Sequence, residues 1–138
     1  MYERLLVAVD HSEFAERVLA EAKGLATLSG GEVWVLHVQE HEILPRGGIL
    51  PRESRDEASA TVDAAVSELA EAGVKAHGEL GRSMYGQAAQ VIVAKASEYD
   101  AGLIVMGSRG RGDLAGMLLG STAHKVIHLA HQPVLVVR

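Results

Sequence analysis

The chain has 138 residues, 48% hydrophobic and 22% charged, which is enough to bury a core and unlike disordered or collagen-like composition. A formal net charge of −5 argues against general attraction to nucleic acid or anionic lipid, so any anion site must be local. The lack of cysteine removes disulfides, thiolate metal centres and cysteine nucleophiles together, and fits a reducing, cytoplasmic setting.

No apolar run reaches the roughly 18 residues of a membrane span, and the short run Leu5 to Val9, ending at Asp10, is not a signal peptide. One domain over residues 1–138 is expected. Leu5 to Val9 suits a strand buried on both faces of a parallel sheet. Ser12 is placed to cap the helix that follows, with Glu13 and Glu16 at its positive end. Ala15, Val18, Leu19, Ala22, Leu25 and Ala26 give that helix its apolar stripe, and Gly30 and Gly31 stop it.

Val33 to Val38 is the second strand. Glu40 to Arg52 then holds two prolines and two glycines, and reads as a mobile loop that is either a lid or disordered. Ser54 with Glu57 forms a capping box for a helix ending before Gly73. Val74 to Leu80 is a more polar, alternating strand suited to a sheet edge, followed by a helix from about Ser83 to Tyr99. Gly102 to Met106 is the fourth strand, a helix runs from Ser121 to His131, and Val134 to Val137 is the last strand. Five strands alternating with four helices predict an α/β, doubly wound parallel sheet with helices on both faces and ligands at the strands' carboxyl ends.

After Met106 the sequence reads GSRGRGDLAGMLLGST. Main-chain N–H groups can wrap a polyphosphate only where side chains do not block close approach, which glycine permits, along with positive φ. Gly120, Ser121 and Thr122 open a helix whose free N–H groups and dipole favour an anion. Asp10 ends the first strand as Gly107 ends the fourth, so both face one crevice if those strands are neighbours. There Asp10 either accepts bonds from ribose hydroxyls or only caps the following helix, and the residues alone leave both readings open.

The spacing Gly107-x2-Gly110-x9-Gly120-Ser121, framed by IVMGSRG and PVLVV and joined by LLVAVDHSE at the start and VLHV in the second strand, resembles the ATP-binding universal stress proteins. The likeness runs over essentially the whole chain, with the segment after Glu40 as its variable part. It implies the strand order 3-2-1-4-5, which places Asp10 and Gly107 at the reversal point. It also implies that Asp10 binds ribose, that Val38 meets adenine through its backbone, and that Met106 and Gly107 flank the nucleotide. Gly110, Gly120, Ser121 and Thr122 would hold phosphates. For Arg109 and Arg111, pairing with phosphate competes with plain solvation. ATP, with or without Mg2+, is the implied ligand, and a homodimer through residues 134–137 the implied assembly.

Two features depart from the family pattern. SMYG follows the third strand in place of an acidic or proline turn, and Asp113 adds negative charge near the loop, which either weakens ATP or helps hold a divalent cation. No Walker A lysine or dinucleotide glycine motif is present. His124, His128 and His131 have metal-compatible spacing, but better suit the negative end of a helix. Ser12, Ser108 and Ser121 lack a nucleophile elbow. His37 and Trp34 read as core or as lining of the adenine pocket, and Tyr85 has no assigned role. A regulatory module that binds ATP and acts on an unidentified protein partner ranks first. A slow ATPase or self-phosphorylating protein, with Ser121 or Thr122 as acceptor, and a binder of AMP or cyclic AMP follow it.

Overall fold

A computed structural model describes residues 1–110, 116 and 118–138; Arg111 and Asp113, singled out above, lie outside the described residues. Leu5, Leu6 and Val7 of β1 (Arg4–Ala8) are wholly buried, and neighbouring residues point to opposite faces. On one face Leu5 and Val7 pack with Val18, Leu19 and Ala22 of α1 (Ala15–Ser29). On the other Leu6 meets residues of the later helices.

β2 (Glu32–Ile43) runs beside β1, and β3 (Ile49–Pro51) turns back antiparallel on its far end. α2 (Arg55–Glu71) then leads to β4 (Ala76–Met84), α3 (Ala88–Glu98), β5 (Leu103–Gly107), α4 (Ser121–Leu129) and β6 (Val134–Val137). The parallel strands stand in the order β4-β2-β1-β5-β6, the predicted 3-2-1-4-5, with the reversal between β1 and β5. Val62, Ala65 and Leu69 of α2 join α1 on one face, while Ala89 and Ile92 of α3 and Ala123 and Val126 of α4 cover the other. This is a doubly wound sheet.

Four local expectations are corrected. The segment from Glu40 to Arg52 is a hairpin: β2 continues to Ile43, and Gly47 and Gly48, at φ +88° and +92°, turn the chain so that Ile49–Pro51 pairs with His41–Ile43. Its prolines lie in the turn and at the end of a short outer strand, where a missing N–H costs little. β4 runs on to Met84 because the lengthened β2 offers it partners as far as His41, and α3 starts only at Ala88, after Gly86. Ser12 does not cap α1 directly. Its carbonyl and hydroxyl accept from the N–H groups of Ala15 and Phe14 in the turn before the helix, at 3.2 and 3.3 Å. α4 ends at Leu129, two residues short of His131. Ser54 does cap α2, accepting from the Glu57 N–H at 3.1 Å, and Gly30, at φ +69°, closes α1.

Candidate functional site

A crevice of about 750 Å3 opens at the carboxyl ends of β1, β2 and β5, where the strand order reverses. Asp10 lines it from just beyond β1, Val38 from β2, and Met106 and Gly107 from the end of β5. Arg109, Gly110, Gly120, Ser121 and Thr122 line it from the following loop and the start of α4. The structure thus brings these nine candidate residues of the sequence together around one crevice. A smaller hollow of about 460 Å3 at the other end of the sheet, around Gly30 and Lys75, gathers none of them.

One oxygen of the Asp10 carboxylate accepts the Ser12 N–H at 2.8 Å, and the other has no partner among the described residues. That bond closes the turn ahead of α1, which takes no side-chain cap, so Asp10 does not cap the helix, and its second oxygen is left on the crevice it lines. The Leu36 carbonyl accepts from the Val9 N–H at 2.9 Å, so β2 presents its main chain to the β1 side at Leu36 and, two residues on, at Val38. β1 ends at Ala8, which leaves the Val38 N–H and carbonyl facing the crevice.

The glycine loop is anchored at Ser108, whose N–H donates to the Val137 carbonyl at 2.7 Å and whose own carbonyl accepts from Gly120. Gly107 and Gly120 do not use positive φ, and Gly120 sits at φ −73°, ψ 164°. At Gly107 the need for glycine is one of space. A Cβ at Gly107 would stand 3.1 Å from the Arg109 carbonyl, and no side chain caps the first N–H groups of α4 among the described residues. The Arg109 guanidinium lies over the Phe14 ring, 4.8 Å from its centroid, which settles the side chain against the crevice wall rather than in open solvent. Lys125, one turn into α4, adds a second positive charge and donates to the Gly86 carbonyl at 3.0 Å.

Of the other crevice residues, His37 was read as core or pocket lining and is both, while Tyr85, Glu40, Glu53 and His11 carried no recognisable signal in the sequence. Tyr85 lies on the rim under the Arg52 guanidinium, 4.5 Å from its centroid, and its N–H donates to the His41 carbonyl at 2.8 Å. Glu40 accepts the Gly86 N–H at 2.9 Å. His37 is buried and lines the crevice, and its Nε2 meets Glu53, whose other oxygen meets His11. These groups come from β2, from the turn after β1 and from the link between β3 and α2, so only folding brings them together. Trp34, by contrast, is absent from the crevice and stacks between His77 and Tyr99. His124 and His128 stack on each other, 6.2 Å between centroids, on an exposed face of α4. Among the described residues no histidine or carboxylate bonds to the Ser121 or Thr122 hydroxyl.

The universal stress protein family model matches residues 1–138. The chain is 32% identical over 153 residues to Universal stress protein YxiE of Bacillus subtilis, with both chains covered in full. Among solved structures, MJ0577 of Methanocaldococcus jannaschii matches with a TM-score of 0.80 at 28% identity, covering 99% of this chain and 96% of that one. The universal stress protein of Archaeoglobus fulgidus, solved in complex with dAMP, matches with a TM-score of 0.74 at 34% identity, covering 99% and 98%. With the family model matched over the whole chain and the fold in accord, the chain belongs to the universal stress protein family.

Proposed function

We propose that this protein is an ATP-binding regulatory module of the stress response. The observation that carries the reading is the convergence of the Asp10 carboxylate, the Val38 main chain and the uncapped start of α4 on one crevice at the strand reversal. Asp10 would hold the ribose, Val38 the adenine edge, and Gly110, Gly120, Ser121 and Thr122 the phosphates, with Met106 and Gly107 flanking the nucleotide and Arg109 and Lys125 balancing its charge. The dAMP complex of the Archaeoglobus fulgidus relative supports an adenine nucleotide as the ligand. A crevice of about 750 Å3, with two cations toward the α4 end, suits a triphosphate, alone or with Mg2+.

Occupancy would act through the hairpin formed by the end of β2 and β3, since Glu40, Arg52 and Glu53 belong to it or adjoin it and line the same crevice. A cytoplasmic homodimer joined through β6 would present that surface to a protein partner. The second reading, an AMP or cyclic AMP binder, is favoured by the monophosphate in the relative's complex. Slow hydrolysis or self-phosphorylation at Ser121 or Thr122 ranks behind both, for want of a general base beside either hydroxyl.

The test is to denature the purified protein and identify released nucleotide by mass spectrometry. ATP at close to one per chain is expected. AMP or cyclic AMP in its place would move the assignment to the second reading, and release of a non-adenine ligand would overturn both.

A further inference from the structure

We propose that His11, His37 and Glu53 form a binding site for one zinc-type divalent ion at the wall of the crevice, with a coordination position open to it. The three side chains come from the turn after β1, from β2 and from the link before α2, and their donor atoms lie within 4.8 Å of one another. Two imidazoles and a carboxylate are the donor set of an open zinc site, whose bonds of about 2.0–2.2 Å place neighbouring donors roughly 3.4 Å apart. Only side-chain-scale adjustment separates the cluster from that geometry.

The hydrogen bonds orient the rings. The Val9 carbonyl can only accept, so His37 donates Nδ1–H to it at 2.7 Å, which aims Nε2 at Glu53. The Thr61 hydroxyl donates to the Glu57 carbonyl at 3.1 Å and offers its oxygen to His11, 3.1 Å from Nδ1 and 3.2 Å from Nε2. Nε2 of His11 is the nitrogen that meets the other oxygen of Glu53. Two ring nitrogens thus converge on the two oxygens of one carboxylate, an arrangement that a shared cation holds together. The Glu53 carboxylate is only 8% exposed, and no lysine or arginine pairs with it among the described residues. Its main chain is held by Gln39, which donates to the Glu53 carbonyl at 3.0 Å. Carbonyl and hydroxyl partners behind each ring, and a fixed carboxylate, are the outer-shell support that metal-binding histidines require. Two imidazole donors select zinc-type ions over Mg2+ or Ca2+. Since all three residues line the crevice, the ion would fasten the end of the hairpin to β2 and leave one position for water or a bound molecule.

The test uses the full chain, stripped with a chelator and free of nucleotide, so that it stands apart from the assignment of the nucleotide. Calorimetric titration is expected to give one Zn2+ per chain and no comparable Mg2+ binding, and Co2+ should produce the strong visible bands of tetrahedral coordination. His11→Ala changes an exposed residue and Glu53→Gln keeps the shape of the side chain. Each should weaken Zn2+ by more than the roughly 10–100-fold that loss of an outer-shell partner costs. A His124→Ala/His128→Ala double variant should bind as the unaltered chain does. The assignment is overturned by an absence of saturable Zn2+ binding, which would leave protons as the shared cation, by equal affinity in His11→Ala and Glu53→Gln, or by loss only in the α4 double variant.

Discussion

Asp10 divides its carboxylate between the fold and the crevice, one oxygen accepting the Ser12 N–H and the other without a partner among the described residues. Asp10→Asn keeps an oxygen for the turn and removes the charge. It is expected to shift the thermal midpoint by less than the 4 °C or so that ~1 kcal/mol produces in a chain of this size. Adenine nucleotide affinity should fall about 10–100-fold, the scale of a charge-assisted hydrogen bond. Scanning fluorimetry and calorimetry on one preparation decide it; a lower midpoint with unchanged affinity would assign the carboxylate to the turn alone. Away from the crevice, the hydrogen bond from His77 holds the Glu32 carboxyl below its ordinary value of 4.5, helped by Lys75 and opposed by desolvation. A lowered carboxylate stabilises the fold above its unfolded-state value, and that contribution disappears as pH falls through the folded-state value. Glu32→Gln should therefore narrow the loss of thermal midpoint between pH 5 and 3, and parallel curves for the two proteins would contradict the linkage. Asp10 and the loop glycines were legible because a strand end and a glycine spacing are local patterns. His11 and Glu53 stand 42 residues apart and were not.

At the level of elements, the sequence pattern located every parallel strand and every helix among the described residues, and failed where pairing overrode local preference. Glycines and prolines between Glu40 and Arg52 read as a loop, yet positive φ at Gly47 and Gly48 is what a tight hairpin requires. The third parallel strand was expected to stop at Leu80, although pairing of Gly81 with Val38 and of the residues beyond with the lengthened β2 carries it on to Met84. Gly78 has a different role. A Cβ there would stand 2.5 Å from a methyl of Val62 and 3.0 Å from one of Val66, so α2 seats on β4 only because the position is bare. Gly78→Ala must push the helix off the sheet. It is expected to destabilise by about 1–3 kcal/mol, the usual cost of overpacking, while leaving nucleotide binding intact. Chemical denaturation measures it, and a neutral or stabilising result would show that Val62 and Val66 can move aside.

For the molecule as a whole, alternating strands and helices made the doubly wound parallel sheet readable, while the strand order that fixes the crevice was implied by the family resemblance. The proposed assembly would use the same sheet. β6 pairs with β5 through Pro133 and Val137, whose carbonyls accept from Ile104 and Ser108, so Val134 and Val136 turn their main chains to the open edge. Val136→Pro removes an outward N–H and none of the β5 bonds. If two chains pair through β6, sedimentation should show the variant as a monomer with an unchanged circular dichroism spectrum; an unchanged dimer would place the contact elsewhere. The central claim is that an adenine nucleotide lies against the start of α4. The most direct measurement is the calorimetric affinity of ATP for Gly120→Val beside the unaltered chain. Backbone angles of −73° and 164° admit a branched residue without strain, so the fold should persist. Loss of ATP binding with an intact spectrum is the predicted result, and retained affinity would contradict the assignment of the loop.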